Sequence, residues 1–228
     1  MNKIIKRNIY SFAAFSITLF AALVLISGCG KSDKEAKTNS AKEKGDKKVS
    51  KTLKLDTAAS TMNWIGKKVT GQHNGTIKIT KGELGVDNNN AVVNGNFEVD
   101  MKSIVNLDLD DAEWNAKLIN HLKSEDFFAV EKFPVSKFEI TDVSPLNDAA
   151  KPNFNSTVTG NLTIKGVTKS ITFPASIKFE NGVLTAFADF DIDRTQWDIK
   201  YGSGKFFENL GDKMISDNFN ISFKLTAK

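Results

Sequence analysis

The chain has 228 residues, a net charge of +4, one cysteine and two histidines. These numbers limit the classes of protein to which it can belong. Residues 1–54 carry 12 Lys and Arg against 4 acidic residues, which leaves 19 and 23 for residues 55–228, a net charge near −4. A domain of that charge lacks the basic face that nucleic-acid binding requires. So few cysteines and histidines exclude a disulfide framework and a zinc site built from Cys and His alone.

The first 28 residues have the composition of a secretory signal peptide. Three basic residues precede an apolar run from about 9 to 26, and the small pair Ser27-Gly28 stands directly before Cys29. A transmembrane helix is the alternative, since such a run just spans a bilayer. The stretch "LISGCG" resembles a bacterial lipobox, in which the cysteine is acylated and becomes the first residue of the mature protein. We therefore predict a lipoprotein signal peptide over 1–28 and a membrane anchor on Cys29.

Residues 29–54 are predicted to be the lipidated cysteine and a disordered tether. Lys, Glu, Asp, Ser, Thr and Ala dominate the composition after Cys29, and such a segment buries too little apolar surface to offset the entropy of ordering. About 25 flexible residues reach roughly 25–30 Å. Gly30 stands where some inner-membrane lipoproteins have a retention Asp, which favours the outer membrane and periplasm within the cell envelope.

Residues 55–228 are predicted to form one β-rich domain. Apolar and polar residues alternate in six segments, as in strands with one apolar face. Turn signals such as Asn74-Gly75 and Lys165-Gly166 separate them. This pattern predicts an antiparallel sandwich or barrel. The segments are "NGTIKIT" (74–80), "GNFEVDM" (95–101), "VSKFEIT" (135–141), "VTGNLTI" (158–164), "ITFPASIKF" (171–179) and "NFNISFKL" (218–225).

A helical insertion is predicted near residues 110–130. Trp114, Leu118 and Leu122 recur at i, i+4 and i+8, the spacing of an apolar helical stripe. Asp110 stands three residues before a glutamate, which is the spacing of a capping box. The connection after the helix carries three phenylalanines, Phe127, Phe128 and Phe133, and ends at Pro134, so these rings lie at one end of the strands. There they either plug a barrel or line its entrance.

Four ordered blocks resemble the YceI-like family of bacterial periplasmic and secreted proteins. The resemblance covers residues 55–228 and implies an all-β fold, an extended antiparallel lipocalin-like β-barrel of about eight strands. It also implies an apolar interior that holds an isoprenoid-type lipid, such as a polyprenyl chain or a quinone. Trp197 departs from the family, which has a smaller aromatic there. The blocks are "TMNWIGKKVTGQHNGT" (61–76), "HLKSEDFFAVEKFP" (121–134), "VTGNLTIKGVTKSITFP" (158–174) and "DIDRTQWDI" (191–199).

The resemblance implies that inward side chains and the rings after the helix form the lipid site. His121 and Arg194 are the candidates for a headgroup contact. Arg194 stands beside Asp193, so a salt bridge at the end of a strand is the alternative to a bidentate contact with a phosphate or carbonyl group. The expected cavity or mouth residues are Trp64, Phe97, Phe127, Phe128, Phe138, Leu162, Phe173 and Phe223.

The sequence leaves open whether the barrel interior is hollow or packed. Seventeen Phe against two Tyr suit a dry wall, because a buried Tyr hydroxyl needs a hydrogen-bond partner. Small residues on inward faces (Gly95, Gly160, Ala175, Ala186 and Ala188) fit a tunnel and close packing equally. A hollow barrel predicts a tethered lipid carrier, and a packed one predicts an interaction or stress-related protein of the cell envelope. A dimer is compatible with either.

Motifs for catalysis are absent from the sequence. There is no G-x-S-x-G elbow and no local Ser/His/Asp set. The glycine-containing stretch "YGSGKFF" (201–207) lacks two positions of a P-loop. We therefore expect no enzymatic activity, no metal and no cofactor apart from a bound isoprenoid lipid.

Overall fold

The alternating segments of the sequence are strands in the computed structural model, which describes residues 34–228. The predicted signal peptide and Cys29 lie outside the described residues. Over residues 34–228, no helix has the length and apolar character needed to cross a membrane. The strands of this range are β1 Lys37–Ser40, β2 Lys51–Lys54, β3 Thr61–Lys68, β4 Gly71–Val86, β5 Val92–Asn106, β6 Val135–Pro145, β7 Ser156–Ile164, β8 Val167–Glu180, β9 Val183–Asp193 and β10 Asn218–Ala227.

Strands β3 to β10 form a closed antiparallel barrel. Each strand pairs with the next along the chain, and β10 returns to pair with β3. Two-residue turns with positive φ at both positions, Lys165-Gly166 and Asn181-Gly182, connect β7 to β8 and β8 to β9, as the twist of paired strands favours. The predicted all-β, lipocalin-like barrel of about eight strands is confirmed.

All strand pairings of the barrel lie within one continuous range of the chain. Residues 32–228 form one compact unit, and every ladder of the ten strands falls between residues 37 and 227. The inward residues of all eight barrel strands form one continuous hydrophobic core. A fragment spanning 32–228 therefore contains every contact of the barrel core that the described residues make.

The predicted helical insertion is α1, Ala112–Lys123, between β5 and β6. Its N-cap is Asp111 rather than Asp110: the Asp111 carboxylate accepts hydrogen bonds from the N–H groups of Glu113 and Trp114, which an isolated first turn leaves unpaired. The predicted apolar stripe is interrupted, because Trp114 is 61% exposed and lies under the ammonium group of a lysine one turn further on.

Residues 34–54 differ from the disordered tether predicted for 29–54. They run along the outside of the barrel, where β1 pairs with β8 and β2 pairs with β4. Between these strands, the Lys42 N–H and C=O bond the side chain of Asn161. Composition misleads here because the segment buries few apolar side chains, and backbone hydrogen bonds to the barrel hold it instead.

Strand β1 fills a gap in the barrel wall between β8 and β9. The ladder between those strands begins at Ser176, just after Pro174, which has no N–H to donate. Nearer the start of β8, β1 pairs with Lys169–Thr172. On its other side, the Ala36 N–H donates to the carbonyl of Asp191 on β9 at 2.9 Å. The N-terminal segment thus completes the wall over the length where β8 and β9 do not pair with each other.

Candidate functional site

One half of the barrel encloses an apolar cavity of about 330 Å³, within the usual size range of ligand pockets. It lies toward the end formed by the β3–β4 hairpin, α1 and the segment after β9. Most of its lining side chains are apolar. They include Met62, Trp64, Ile77, Phe97, Val99, Met101, Ile104, Leu118, Leu122, Phe127, Phe128, Phe138, Leu162, Ile164, Ile171, Phe173, Phe190, Ile192, Ile199, Ile215, Phe219, Ile221 and Phe223.

All eight residues predicted for the cavity or mouth line this cavity. Their contact with a ligand stays a prediction. The strand residues among them sit at alternate positions, so the pleat turns each one inward. Two further apolar residues, Phe190 and Ile192, line it as well and were not predicted from the sequence. In the stretch "ADFDID" (188–193), these two residues alternate with aspartates. This period of two indicates that they face the barrel interior.

Trp64 is held in the cavity wall by its polar edge. Its indole Nε1 donates to the carbonyl of Val105 on β5 at 3.1 Å, which satisfies the one hydrogen-bonding group of a buried tryptophan. Gly75 on the neighbouring strand makes room for the ring, because a Cβ there would lie 2.7 Å from the indole. The hydrocarbon face of Trp64 is thereby left to the cavity.

Five phenylalanine rings close the inner end of the cavity, and we call them the phenylalanine partition. Neighbouring ring centroids are 4.1–6.2 Å apart, the range of favourable aromatic pairs. Beyond the rings lies a second apolar cavity of about 30 Å³. The partition consists of Phe97, Phe138, Phe173, Phe190 and Phe223.

The small inward residues belong to the packed half of the barrel. A Cβ on Gly160 would overlap the ring of Phe138, and a Cβ on Gly95 would lie 2.6 Å from the Leu84 side chain. Ala175 lines the 30 Å³ cavity. The two alternatives that the sequence left open therefore each hold in one half. The barrel is hollow toward one end and close-packed toward the other.

Arg194 reaches the cavity wall, but the backbone takes most of its donors. The side chain is 4% exposed, and its guanidinium donates to the carbonyls of Ile199, Ser216 and Ile215 at 2.9, 3.0 and 3.2 Å. Burial lowers the pKa of Arg194, and the nearby Asp217 carboxylate opposes this. The contacts give Arg194 a structural role in fixing the segment after β9, and its headgroup role stays a prediction.

His121 lies beside the mouth and is not among the cavity-lining residues. Its Nε2 is 3.0 Å from a carboxylate oxygen of Asp126. Its ring meets Phe127 and Tyr201 edge-on, with centroid distances of 5.0 and 4.6 Å. Phe127 does line the cavity, and the headgroup role of His121 stays a prediction. Between residues 34 and 228, no cluster of three or more His, Cys, Asp or Glu is placed to hold a metal ion.

Asp193 anchors the segment that follows β9. Its carboxylate accepts hydrogen bonds from the Thr195 N–H and hydroxyl at 3.0 and 2.6 Å and from Lys205 Nζ at 2.9 Å. Burial raises the pKa of Asp193, but the hydrogen bonds from Thr195 and Lys205 outweigh it, so the pKa lies below its ordinary value. A lowered pKa in the folded state means that ionised Asp193 stabilises the fold.

We expect Asp193→Asn to lower the free energy of unfolding by about 1.5–3 kcal/mol at neutral pH, because charge-assisted hydrogen bonds are lost. The stabilisation is complete above the pKa of the unfolded chain, about 3.9, and disappears as the pH falls through the lower folded pKa. Urea unfolding between pH 7 and pH 3 measures this difference. The exposed Asp110→Asn is the control. A difference between wild type and Asp193→Asn that does not change with pH contradicts the assignment.

A closed eight-stranded antiparallel barrel with an apolar cavity toward one end defines the lipocalin-like class of barrel, which holds a small ligand inside. The family model of the YceI-like domain matches residues 53–227, and the chain belongs to the YceI-like family. The resemblance seen in the four sequence blocks is therefore confirmed.

Curated relatives match over part of their length. The UPF0312 protein of Photorhabdus laumondii is 36% identical over 106 residues, which are 46% of this chain and 49% of that protein. A UPF0312 protein of Pseudomonas aeruginosa is 41% identical over 63 residues, which are 28% of this chain and 30% of that protein. The matched segments thus span less than half of these relatives.

Two solved structures share the fold. BcnA of Burkholderia cenocepacia superposes with a TM-score of 0.59 at 23% identity and covers 76% of this chain and 99% of its own. A polyisoprenoid binding domain from Saccharophagus degradans, implicated in plant cell wall breakdown, superposes with a TM-score of 0.56 at 14% identity and covers 77% and 97%. At these identities the likeness establishes the barrel fold.

Proposed function

We propose that this chain is a non-enzymatic lipoprotein of the cell envelope whose barrel binds an isoprenoid-type lipid, a polyprenyl chain or a quinone. The observation that carries the proposal is the cavity of about 330 Å³ with its predominantly apolar lining. The tail would lie between the rings of the mouth and the phenylalanine partition, and its headgroup would remain near His121. The polyisoprenoid binding domain that shares the fold supports the ligand class.

The free energy of transferring the lipid tail favours reversible binding over irreversible extraction from the membrane. Burial from water stabilises the tail by about 0.8 kcal/mol per CH₂. A membrane lipid, however, already has its tail in hydrocarbon. Transfer from the bilayer into the barrel is therefore close to neutral, and shape and headgroup contacts decide its direction. Such a site takes up and releases a lipid reversibly.

The proposed anchor is the acylated Cys29, which would hold the barrel at the membrane. Cys29 precedes the first described residue, Lys34, by five positions, a span of at most about 18 Å. Ala36 is held against β9. The chain between the anchor and the barrel is thus shorter than the predicted tether of roughly 25–30 Å, and the barrel would stay at the bilayer surface. We propose the periplasmic side of the outer membrane.

Filling the cavity tests the proposal. Val99 on β5 lines the cavity and is 6% exposed, whereas Val105 on the same strand is 43% exposed. In fragment 32–228, we expect Val99→Trp to weaken binding of retinol, a fluorescent isoprenoid, by at least about tenfold, because the indole occupies the volume of the tail. Val105→Trp is the matched control and should bind like the wild type. Titration followed by retinol emission gives both affinities.

Circular dichroism of both variants establishes that the barrel is folded. If folded Val99→Trp binds retinol as tightly as the wild type, the lipid does not lie in the barrel. If the wild type binds no retinol and no quinone analogue, the proposal fails. The exposed rings of the segment after β9, Phe206 and Phe207, would then be the first place to look for a protein partner.

A further inference from the structure

The cavity ends at the phenylalanine partition although the barrel continues beyond it. Phe97 and Phe138 are cross-strand partners on β5 and β6. Phe223 on β10 meets Phe97 at 5.9 Å and Phe173 on β8 at 6.1 Å. The rings thus cross the interior between distant parts of the wall. They separate the cavity at the mouth from the apolar space of about 30 Å³ behind them.

The rings are held in place by one another and by the backbone. Phe173 stacks on Phe190 with centroids 4.1 Å apart and meets Phe138 at 5.7 Å. Gly160 lies directly against the Phe138 ring. Each ring of the partition is at most 6% exposed. Because such interiors are close-packed, one ring turns aside only if its neighbours move with it.

The space behind the partition is suited to hydrocarbon. Small side chains, Ala175 and Ala186, contribute to its wall, and all of its lining residues are apolar. An apolar space of this kind stays dry. A tail that passed the rings would therefore find a compatible environment, so the rings themselves form the barrier.

We propose that the phenylalanine partition sets the length of the lipid tail that the barrel accepts. This inference rests on the proposed function and adds to it the residues that select tail length. An isoprenoid tail enters until its end meets the rings, and any further isoprene units stay outside the cavity. Removing one ring joins the two spaces and admits a longer tail.

A graded series of all-trans isoprenoid alcohols, from farnesol to decaprenol, tests the inference with fragment 32–228. In the wild type, affinity rises with chain length until the tail reaches the partition, and then stops rising. In Phe173→Ala, the rise continues to longer alcohols. Phe173→Ala should bind these longer alcohols at least about tenfold more tightly than the wild type does, since each CH₂ taken from water changes affinity roughly fourfold.

Two matched variants complete the experiment. Phe187→Ala removes the same ring from the outer face, where Phe187 is 45% exposed, and should keep the wild-type length limit. Phe173→Ala combined with Ala186→Leu refills the space behind the partition and should restore that limit. Phe173→Leu, which removes less volume, replaces Phe173→Ala if circular dichroism shows that the alanine variant is unfolded.

The outcomes separate the two proposals. If the wild type binds none of the alcohols, the proposed function fails and the inference fails with it. If the wild type binds them and the ring-deleted variant stops gaining affinity at the same length, the inference is overturned while the proposed function stands. A longer limit in the variant that the Ala186→Leu change reverses supports the inference.

Discussion

Trp197→Ala is expected to lower the free energy of unfolding by about 3–5 kcal/mol, the range for removing a large buried aromatic side chain. Trp197 ends the 3₁₀ helix Arg194–Trp197 and is fully buried. Its indole Nε1 donates to the carbonyl of Leu162 on β7 at 3.0 Å. The substitution therefore leaves a void and removes the hydrogen bond that the Leu162 carbonyl accepts from the indole. Urea unfolding of fragment 32–228 gives the size of the loss.

The matched control is the same substitution at an exposed tryptophan. Trp114 on α1 is 61% exposed, and Trp114→Ala should change the free energy of unfolding by no more than about 0.5 kcal/mol. Trp197→Phe keeps a ring but loses the donor, so its loss should lie between those of the two alanine variants. Equal losses for Trp197→Ala and Trp114→Ala would contradict the packing described for the segment after β9.

Removing residues 32–40 from fragment 32–228 is expected to cost about 2–4 kcal/mol of unfolding free energy. The deletion takes away the β1 ladder on β8 and the hydrogen bonds to Asp191, each worth about 1 kcal/mol net, less the entropy of ordering the segment. The amides of β8 and β9 that border the gap should exchange with solvent faster. Urea unfolding and hydrogen exchange measure the two effects.

Point variants in β1 and at the residue before it sharpen this test. Ala36 is 3% exposed and belongs to the core, so Ala36→Asp should reproduce most of the loss by placing a carboxylate in the gap. Asn39→Asp adds the same group at an exposed position and should have little effect. If the truncated and full fragments unfold at the same urea concentration, β1 does not complete the barrel wall.

The barrel was predictable because its signal is local. Phe97, Phe138 and Phe223 stand at alternate positions within their segments, and alternation in a strand fixes which side chains face inward. Turn residues such as Asn181-Gly182 tolerate positive φ at little cost, and both have it in the turn between β8 and β9. The cavity-lining set followed from these two patterns together with the family resemblance.

The remaining features depend on residues far apart in the chain. Residues 34–54 are polar, and nothing local indicates that β8 and β9 leave a gap for them. Arg194 bonds the carbonyls of Ser216 and Ile215, which only the folded chain brings near. Whether the interior is hollow depends on the position along the barrel axis at which rings from five strands meet. An alternating pattern shows which face of the sheet a side chain occupies, but not its position along the barrel axis.

The most direct test of lipid binding in the barrel is the lipid content of the protein made in a bacterial cell envelope. The protein is expressed from the full chain, with its signal peptide and Cys29, purified and extracted with organic solvent. Mass spectrometry then identifies and quantifies the lipids in this extract and in that of Val99→Trp. Lipid binding in the barrel predicts about one isoprenoid-type lipid per wild-type chain and its loss from the variant. Equal lipid content in the two proteins, or a wild-type barrel that is empty and stays empty when offered prenols and quinones, would contradict it.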